Sequence, residues 1–297
     1  GHVEAGYQLG FMCSNGFGFE RDLRLARKYL EESYEKGFLE SAFHIGCVLV
    51  AIGDPIDEKK AVTYLLEAGD AESYELLGDI YMKLHLRNRE KAHVDEAFKY
   101  YLESYERGNK NLAFCIAEMY QSGLGVKKDT MLAKKFFEEA LTTNHRIAAA
   151  QQLYILCRGE EYLTLIENSN EIGPLKFAGE VYLSIDRKKA LKCFSKCAEF
   201  EDLESLKQVW AMYYTTDIDY EKSFYWYVKL QQLCKTPYDK YCQQLNFYFA
   251  RNVELSEKLY TIYVEAFRNQ LIDNECYYKL LLGLPVKFYV DKFVCSV

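Results

Sequence analysis

The chain has 297 residues, 49% of them hydrophobic, which is enough for two ordinary domains or one long array with a continuous core. A net charge of −7 and the lack of any basic block argue against a nucleic-acid surface. No apolar run approaches the roughly 18 residues of a membrane span, and only 4 prolines interrupt the chain, which suits a protein that is mostly helix.

Read from the start, an amphipathic stretch through Leu9 is closed by Gly16 and Gly18. Asp22 then precedes a second helical stretch carrying Ala26 and Tyr29. The same order returns with Ile45, Ala61 and Tyr64, then with Leu77, Ala97 and Tyr100, then with Ile116, Ala133 and Phe136. The markers Leu9, Ile45, Leu77 and Ile116 stand 36, 32 and 39 residues apart. A period of this size marks a helical repeat array. The residue after each marker is small (Gly10, Gly46, Gly78, Ala117), which lets two helices approach closely. Eight residues before each marker stands Gly1, Gly37, Gly69 or Gly108, the residue type that accepts left-handed backbone past a helix C-terminus. Gly1 thus sits in the column that ends a preceding second helix, which leaves room for repeats upstream. The third unit has three or four extra residues between marker and alanine, and these are expected to form an extended loop holding His85 and His93.

Beyond residue 145 the pattern weakens. Markers are expected at Gln152 or Leu153, at Phe177, at Val209 and near Cys242 to Leu245. Ala190 with Cys193, and Ser223 with Trp226, continue the second-helix column. Glu160 to Asn170 reads as a shortened second helix, and the final pair as Ser256 to Asn269 and Asn274 to Gly283. The prediction is an all-α protein, an α-solenoid of about eight antiparallel helical hairpins. Repeats are well formed over 1–145 and degenerate over 146–297, where they continue the same solenoid.

"YQSGLGVKKDTMLAKKFFEEAL" (Tyr120 to Leu141) aligns without a gap on "CSNGFGFERDLRLARKYLEESY" (Cys13 to Tyr34). A Gly-rich loop before a helix could hold phosphate, but here there is no preceding strand and no Gly-Lys-Ser/Thr ending. Gly-x-Gly therefore reads as a corner needing positive φ, and Asp22 and Asp129 as residues that cap the next helix. Gly-x-x-x-Ala before a Leu-Gly pair, then Tyr, Gly-x-Gly-Val, Asp, Ala and an aromatic, resembles the SEL-one-like repeat family, a relative of the tetratricopeptide repeats. The fourth unit, "GNKNLAFCIAEMYQSGLGVKKDTMLAKKFFEEAL", carries it best, and the first, from "GHVEAGYQLG", nearly as well. The resemblance implies a solenoid that works as an adaptor or scaffold and not as a catalyst.

The residues themselves offer no catalytic, metal or cofactor site. The ten cysteines contain no Cys-x-x-Cys, and the five histidines form no His-x-x-x-His or His-Glu-x-x-His. Most cysteines are expected to be buried, reduced thiols in a cytoplasmic protein. The absence of any Asn-x-Ser/Thr acceptor fits that location. A periplasmic or secreted location is the alternative if a signal peptide has been removed.

A partner is expected to be a protein or peptide, lying in the groove lined by the first helices. Positions two before and two after each marker face away from the packing stripe. They give Tyr7, Phe11 and Phe43 in the first two units, and Glu75, Asp79, Phe114 and Glu118 in the next two. The groove is thus expected to run from an apolar end to an acidic end. The C-terminal third ("WAMYYTTDIDYEKSFYWYVKL", "LNFYFA", "LYTIYVEAF", "CYYKLLLGLPVKFYVDKF") is crowded with aromatics that could serve as hot spots. Two alternatives to the adaptor reading are an immunity or antitoxin-like protein that neutralises a cognate toxin, and a hydrolase of the family's disulfide-rich branch. Only Cys234 and Cys242 have a spacing comparable to that branch's cysteine pair.

Overall fold

A computed structural model describes residues 2–18 and 20–215, with scattered positions from 219 to 268. The chain divides into two compact units, Gly1–Leu163 and Thr164–Val297. The described residues form thirteen α-helices and one short 3-10 turn, with no strand among them. They are α1 Val3–Asn15, α2 Leu23–Glu35, α3 Ser41–Ile52, α4 Pro55–Ala68, α5 Ala71–Asn88, α6 Lys91–Glu106, α7 Ala113–Ser122, α8 Thr130–Ala140, α9 Arg146–Cys157, α10 Glu160–Glu167, α11 Ile172–Leu183, α12 Arg187–Glu199 and α13 Leu203–Thr215. The closest helix pairs are α1 with α2, α3 with α4, α5 with α6, α7 with α8, and α11 with α12, so consecutive helices make hairpins. The predicted final hairpins, the marker near Cys242 to Leu245 and most of the aromatic C-terminal stretch lie outside the described residues.

The corners are built as their residue types require. Gly16, Gly18, Gly123 and Gly125 all hold positive φ, the region an L side chain enters at a cost. After each corner the chain is tied back to the first helix: the Asp22 amide donates to the Cys13 carbonyl and the Asp129 amide to the Tyr120 carbonyl, both at 3.0 Å. The same aspartates then start the second helix. Asp22 accepts from the amides of Arg24 and Leu25, and Asp129 from those of Met131 and Leu132. Each cap satisfies donors that the first turn leaves unpaired and contributes about 1 kcal/mol.

The hairpins close on a small residue facing a large one. An added Cβ at Gly10 would stand 2.6 Å from Leu30, at Gly46 2.6 Å from Leu65, at Gly78 2.5 Å from Tyr101 and at Gly179 2.8 Å from Phe194. Leu30, Leu65, Tyr101, Phe137 and Phe194 each lie four residues after the column alanine, and all are buried. Of the residues at three, Tyr29, Tyr64 and Tyr100 are only partly buried, while Phe136 and Cys193 are buried. The helix period explains this: i+4 stays closer to the face of i than i+3 does once that face points straight at a partner.

A second column closes the open end of the hairpin. Seven residues after the alanine, the Ser33 hydroxyl donates to the Val3 carbonyl at 2.9 Å and the Ser104 hydroxyl to the Ala71 carbonyl at 2.7 Å. Cys197 takes this role in the α11–α12 hairpin, its thiol donating to the Ile172 carbonyl at 3.6 Å.

Three expectations are corrected. His85 and His93 are not in a loop: α5 runs on to Asn88, His85 sits in its last turn and His93 in the first turn of α6. The extra residues lengthen helix because "YMKLHLRN" lacks the Gly-x-Gly that ends α1 and α7, so the stop falls at Arg89, with φ 59°. Leu9 is 39% exposed while Ile45, Leu77 and Ile116 are fully buried. The α2 helix covers one side of α3 and so completes the burial of Ile45. Finally, Gly179 is the small residue of its hairpin, which makes Ala178, fully buried, the marker in place of Phe177.

Candidate interaction face

The first helices of the unit Gly1–Leu163 lie side by side, α1 against α3 and α3 against α5. At the first step of the row, the residue just before one marker sits against residues two before and two after the preceding marker. Between the first two repeats this places His44 5.3 Å from Tyr7 and 5.2 Å from Phe11, ring centre to ring centre. Phe43 also meets His44 at 5.2 Å, and Phe38 meets Tyr7 at 4.9 Å. Tyr7, Phe11 and Phe43 are therefore gathered by a histidine that the sequence reading did not select. All four side chains are partly exposed. Burial among these rings lowers the His44 pKa below the ordinary histidine value, against the opposing pull of Asp70.

Between the third and fourth repeats the chemistry of the row is the opposite. Cys115 stands one position before its marker as His44 does, and the charges of Glu75, Asp79 and Glu118 reach it. Burial first, then Glu118, Asp79 and Glu75, pushes the Cys115 thiol up to about 11. The Glu75 carboxylate accepts from the Asn109 amide at 2.7 Å, and Asp79 accepts from the Tyr101 hydroxyl at 2.7 Å. The Tyr101 pKa is raised, chiefly by burial and then by that hydrogen bond. Burial also raises the pKa of Glu118, while His145 draws it down. None of these three carboxylates forms an ion pair among the described residues. By contrast, on the second helices Arg27 pairs with Glu31, Lys99 with Glu96, Arg107 with Glu103 and Lys134 with Glu138.

Phe114 does not join the aromatic group. It meets Phe137 of its own hairpin at 5.5 Å and stacks on His145 at 5.3 Å. The next step along the row is polar, with Gln121 donating to Gln152 at 3.3 Å.

The thiols Cys13, Cys47, Cys115, Cys157, Cys193 and Cys197 are free; the Cys234 and Cys242 pair lies outside the described residues. Among the described residues no group of three or more His, Cys, Asp and Glu side chains is placed to hold a metal ion, and no helix is long and apolar enough to cross a membrane.

Hairpins that lock a small residue under a large one, corner glycines in left-handed backbone and an aspartate at the next helix start define an α-solenoid of short helical repeats. The chain belongs to the Sel1 repeat family, whose model matches residues 3–38, 71–109, 111–142, 175–199 and 215–230. Residues 39–70 are passed over, yet α3 and α4 close on Gly46 and Leu65 as the others do. In the last matched stretch, Ser223 and Trp226 are buried, as the column predicts.

The chain is 27% identical over 157 residues to the ERAD-associated E3 ubiquitin-protein ligase component HRD3 of Candida glabrata, a match that takes in 50% of this chain and 18% of that protein. It therefore spans less than a fifth of that relative's length. Its fold is similar to that of a Sel1 repeat protein from Oxalobacter formigenes, with a TM-score of 0.56 at 20% identity, over 78% of this chain and 74% of the other. A looser likeness, TM-score 0.42 at 18% identity over 95% of this chain and 73% of the other, is to c5321, a protective antigen of uropathogenic Escherichia coli with an SLR fold.

Proposed function

We propose that this chain is a non-enzymatic scaffold that holds a protein partner, or a peptide segment of one, on the first-helix face of residues 1–163. The observation that carries this reading is that the first helices present partly exposed aromatic rings around His44 and, further along, the carboxylates Glu75, Asp79 and Glu118 without ion pairs among the described residues. The family is one whose repeats mediate protein–protein interaction, and the Candida glabrata relative is by its name a component of a larger ligase assembly. The anchors are Tyr7, Phe11 and Phe43 at one end, and Glu75, Asp79 and Glu118 at the other, with Phe114 beside them. The proposal includes a reducing, cytoplasmic setting, which suits the six free thiols among the described residues.

A photo-reactive amino acid at Phe11 or Glu118, compared with one at the second-helix positions Glu32 or Lys99, tests the face in the cell of origin. The crosslinked partner, identified by mass and remade pure, is then measured against Phe43→Ala and Glu118→Lys after both variants are shown to fold. The first should weaken binding by about 2 kcal/mol, as loss of an aromatic anchor does. The second should slow association and alter its salt dependence. Wild-type binding by both variants would move the partner to another surface.

A further inference from the structure

The polarity of the face specifies its occupant. We infer that the bound segment is an extended peptide carrying an apolar anchor and, about five or six residues away, a lysine or arginine. This inference rests on the first-helix face being the binding surface.

The spacing follows from the stacking. The aromatic group lies on α1 and α3 around His44, and the carboxylates lie on α5 and α7 around Cys115. These groups are two helix spacings apart, about 16–20 Å at ordinary interaxial distances. An extended chain covers that span in about five or six residues, and a helix in about twelve. The extended form is favoured by what lines the acidic half of the row. Asp79, Glu118, Gln121 and Gln152 present side-chain acceptors to backbone N–H groups that an extended peptide leaves unpaired; a helix would already have satisfied its own.

Charge sets the direction. The cation belongs at Glu118, which is exposed and has no hydrogen bond or ion pair to its carboxylate among the described residues. Glu75 and Asp79 are each held by one neutral donor and keep acceptor capacity for a second. No described lysine or arginine answers these carboxylates within ion-pair distance, so a cationic side chain from outside gains charge-assisted hydrogen bonds without breaking internal ones.

The test uses the 297-residue chain and fluorescein-labelled synthetic peptides. Each peptide has one Phe anchor and a Lys-Arg pair, separated by about one, about five or about twelve polar residues. Fluorescence anisotropy at low salt should show the middle spacing binding about tenfold tighter than the other two, and tighter than an analogue with Gln-Gln in place of Lys-Arg. Glu118→Gln should remove most of that tenfold advantage. Best binding at the longest spacing would make the occupant a helix and overturn the inference. So would binding that ignores the basic pair or Glu118→Gln, or no binding by any peptide. If Phe43→Ala still weakens the crosslinked partner in that case, the face stands and only the peptide rule falls.

Discussion

Gly78→Ala isolates the packing rule that makes each hairpin. In an open helix the change is favourable, because alanine exceeds glycine in helix propensity by about 1 kcal/mol. At Gly78 the new methyl would stand 2.5 Å from both Cδ1 and Cε1 of Tyr101 and 2.9 Å from Cζ. Ordinary carbon contacts need about 3.5–4.0 Å, so the ring or the helix has to move by about 1 Å. The ring has little freedom: Tyr101 is 6% exposed and its hydroxyl is held by Asp79. Overpacking of this kind costs about 1–3 kcal/mol, and strain on the hydroxyl bond adds up to about 1 kcal/mol. The expected result is a net loss of about 1–2 kcal/mol. Gly6→Ala is the matched control, for its nearest neighbours would lie at 3.7 and 3.8 Å, ordinary contact. It should gain about 0.5–1 kcal/mol. Urea unfolding followed by far-UV circular dichroism reads both variants. A Gly78→Ala protein as stable as wild type, beside a stabilised Gly6→Ala, would show that the small residue is not required for α5 and α6 to close.

Gly108→Val should cost about 1–2 kcal/mol in the same assay, entirely through the backbone, since φ is 113° and nothing lies within 4 Å of the added Cβ; unchanged unfolding would remove it as a helix stop. Asp129→Ala should cost about 1 kcal/mol through the lost cap, and Asp129→Asn much less; equal losses would point to charge instead of the hydrogen bonds. Alkylation of the native protein at about pH 8 should label exposed Cys157 first and Cys47, Cys115 and Cys193 last, because thiols pushed up to about 11 are thiolate in only about one part in a thousand there; rapid labelling of Cys115 would contradict its burial. The depressed pKa of His44 means the folded state binds its proton less readily than the unfolded state. Its stabilising effect is whole above the unfolded value and lost as pH falls through it toward the folded one. Wild-type Tm should therefore fall more between about pH 7 and about pH 5 than that of His44→Phe, with equal falls refuting the assignment.

Local features were readable in the sequence because local chemistry sets them. Gly16, Gly18 and Asp22 announce a corner and a cap by residue type alone, and Gly123, Gly125 and Asp129 repeat them in register. The hairpin lock was half legible. The small residues after each marker were visible, but not the bulky partners they face, Leu30, Leu65 and Tyr101. The column at i+4 mixes Leu, Tyr and Phe, so residue type alone does not mark it. His85 and His93 were misplaced by reading length variation as loop; the lack of a Gly-x-Gly between Leu77 and Ala97 was the available signal for a longer helix.

The face was legible as a set of positions but not as contacts. Tyr7, Phe11 and Phe43 were chosen one helix at a time, while the group that unites them, His44, acts between helices. Cys115 stands at the matching position, where the charges of Glu75, Asp79 and Glu118 reach it. Such a residue is found only by asking what stands one position before each marker: His44, Leu76, Cys115 and Gln152. Phe114 was legible as a face position of the fourth unit, but not its packing: its own hairpin supplies Phe137, and His145 covers its other side.

The most direct test of the account is hydrogen–deuterium exchange of the chain with and without the crosslinked partner. Partner binding to the first-helix face predicts slowed exchange concentrated in α1, α3, α5 and α7, with α2, α4, α6 and α8 little changed. Protection confined to the second helices or to residues after 163 would contradict it.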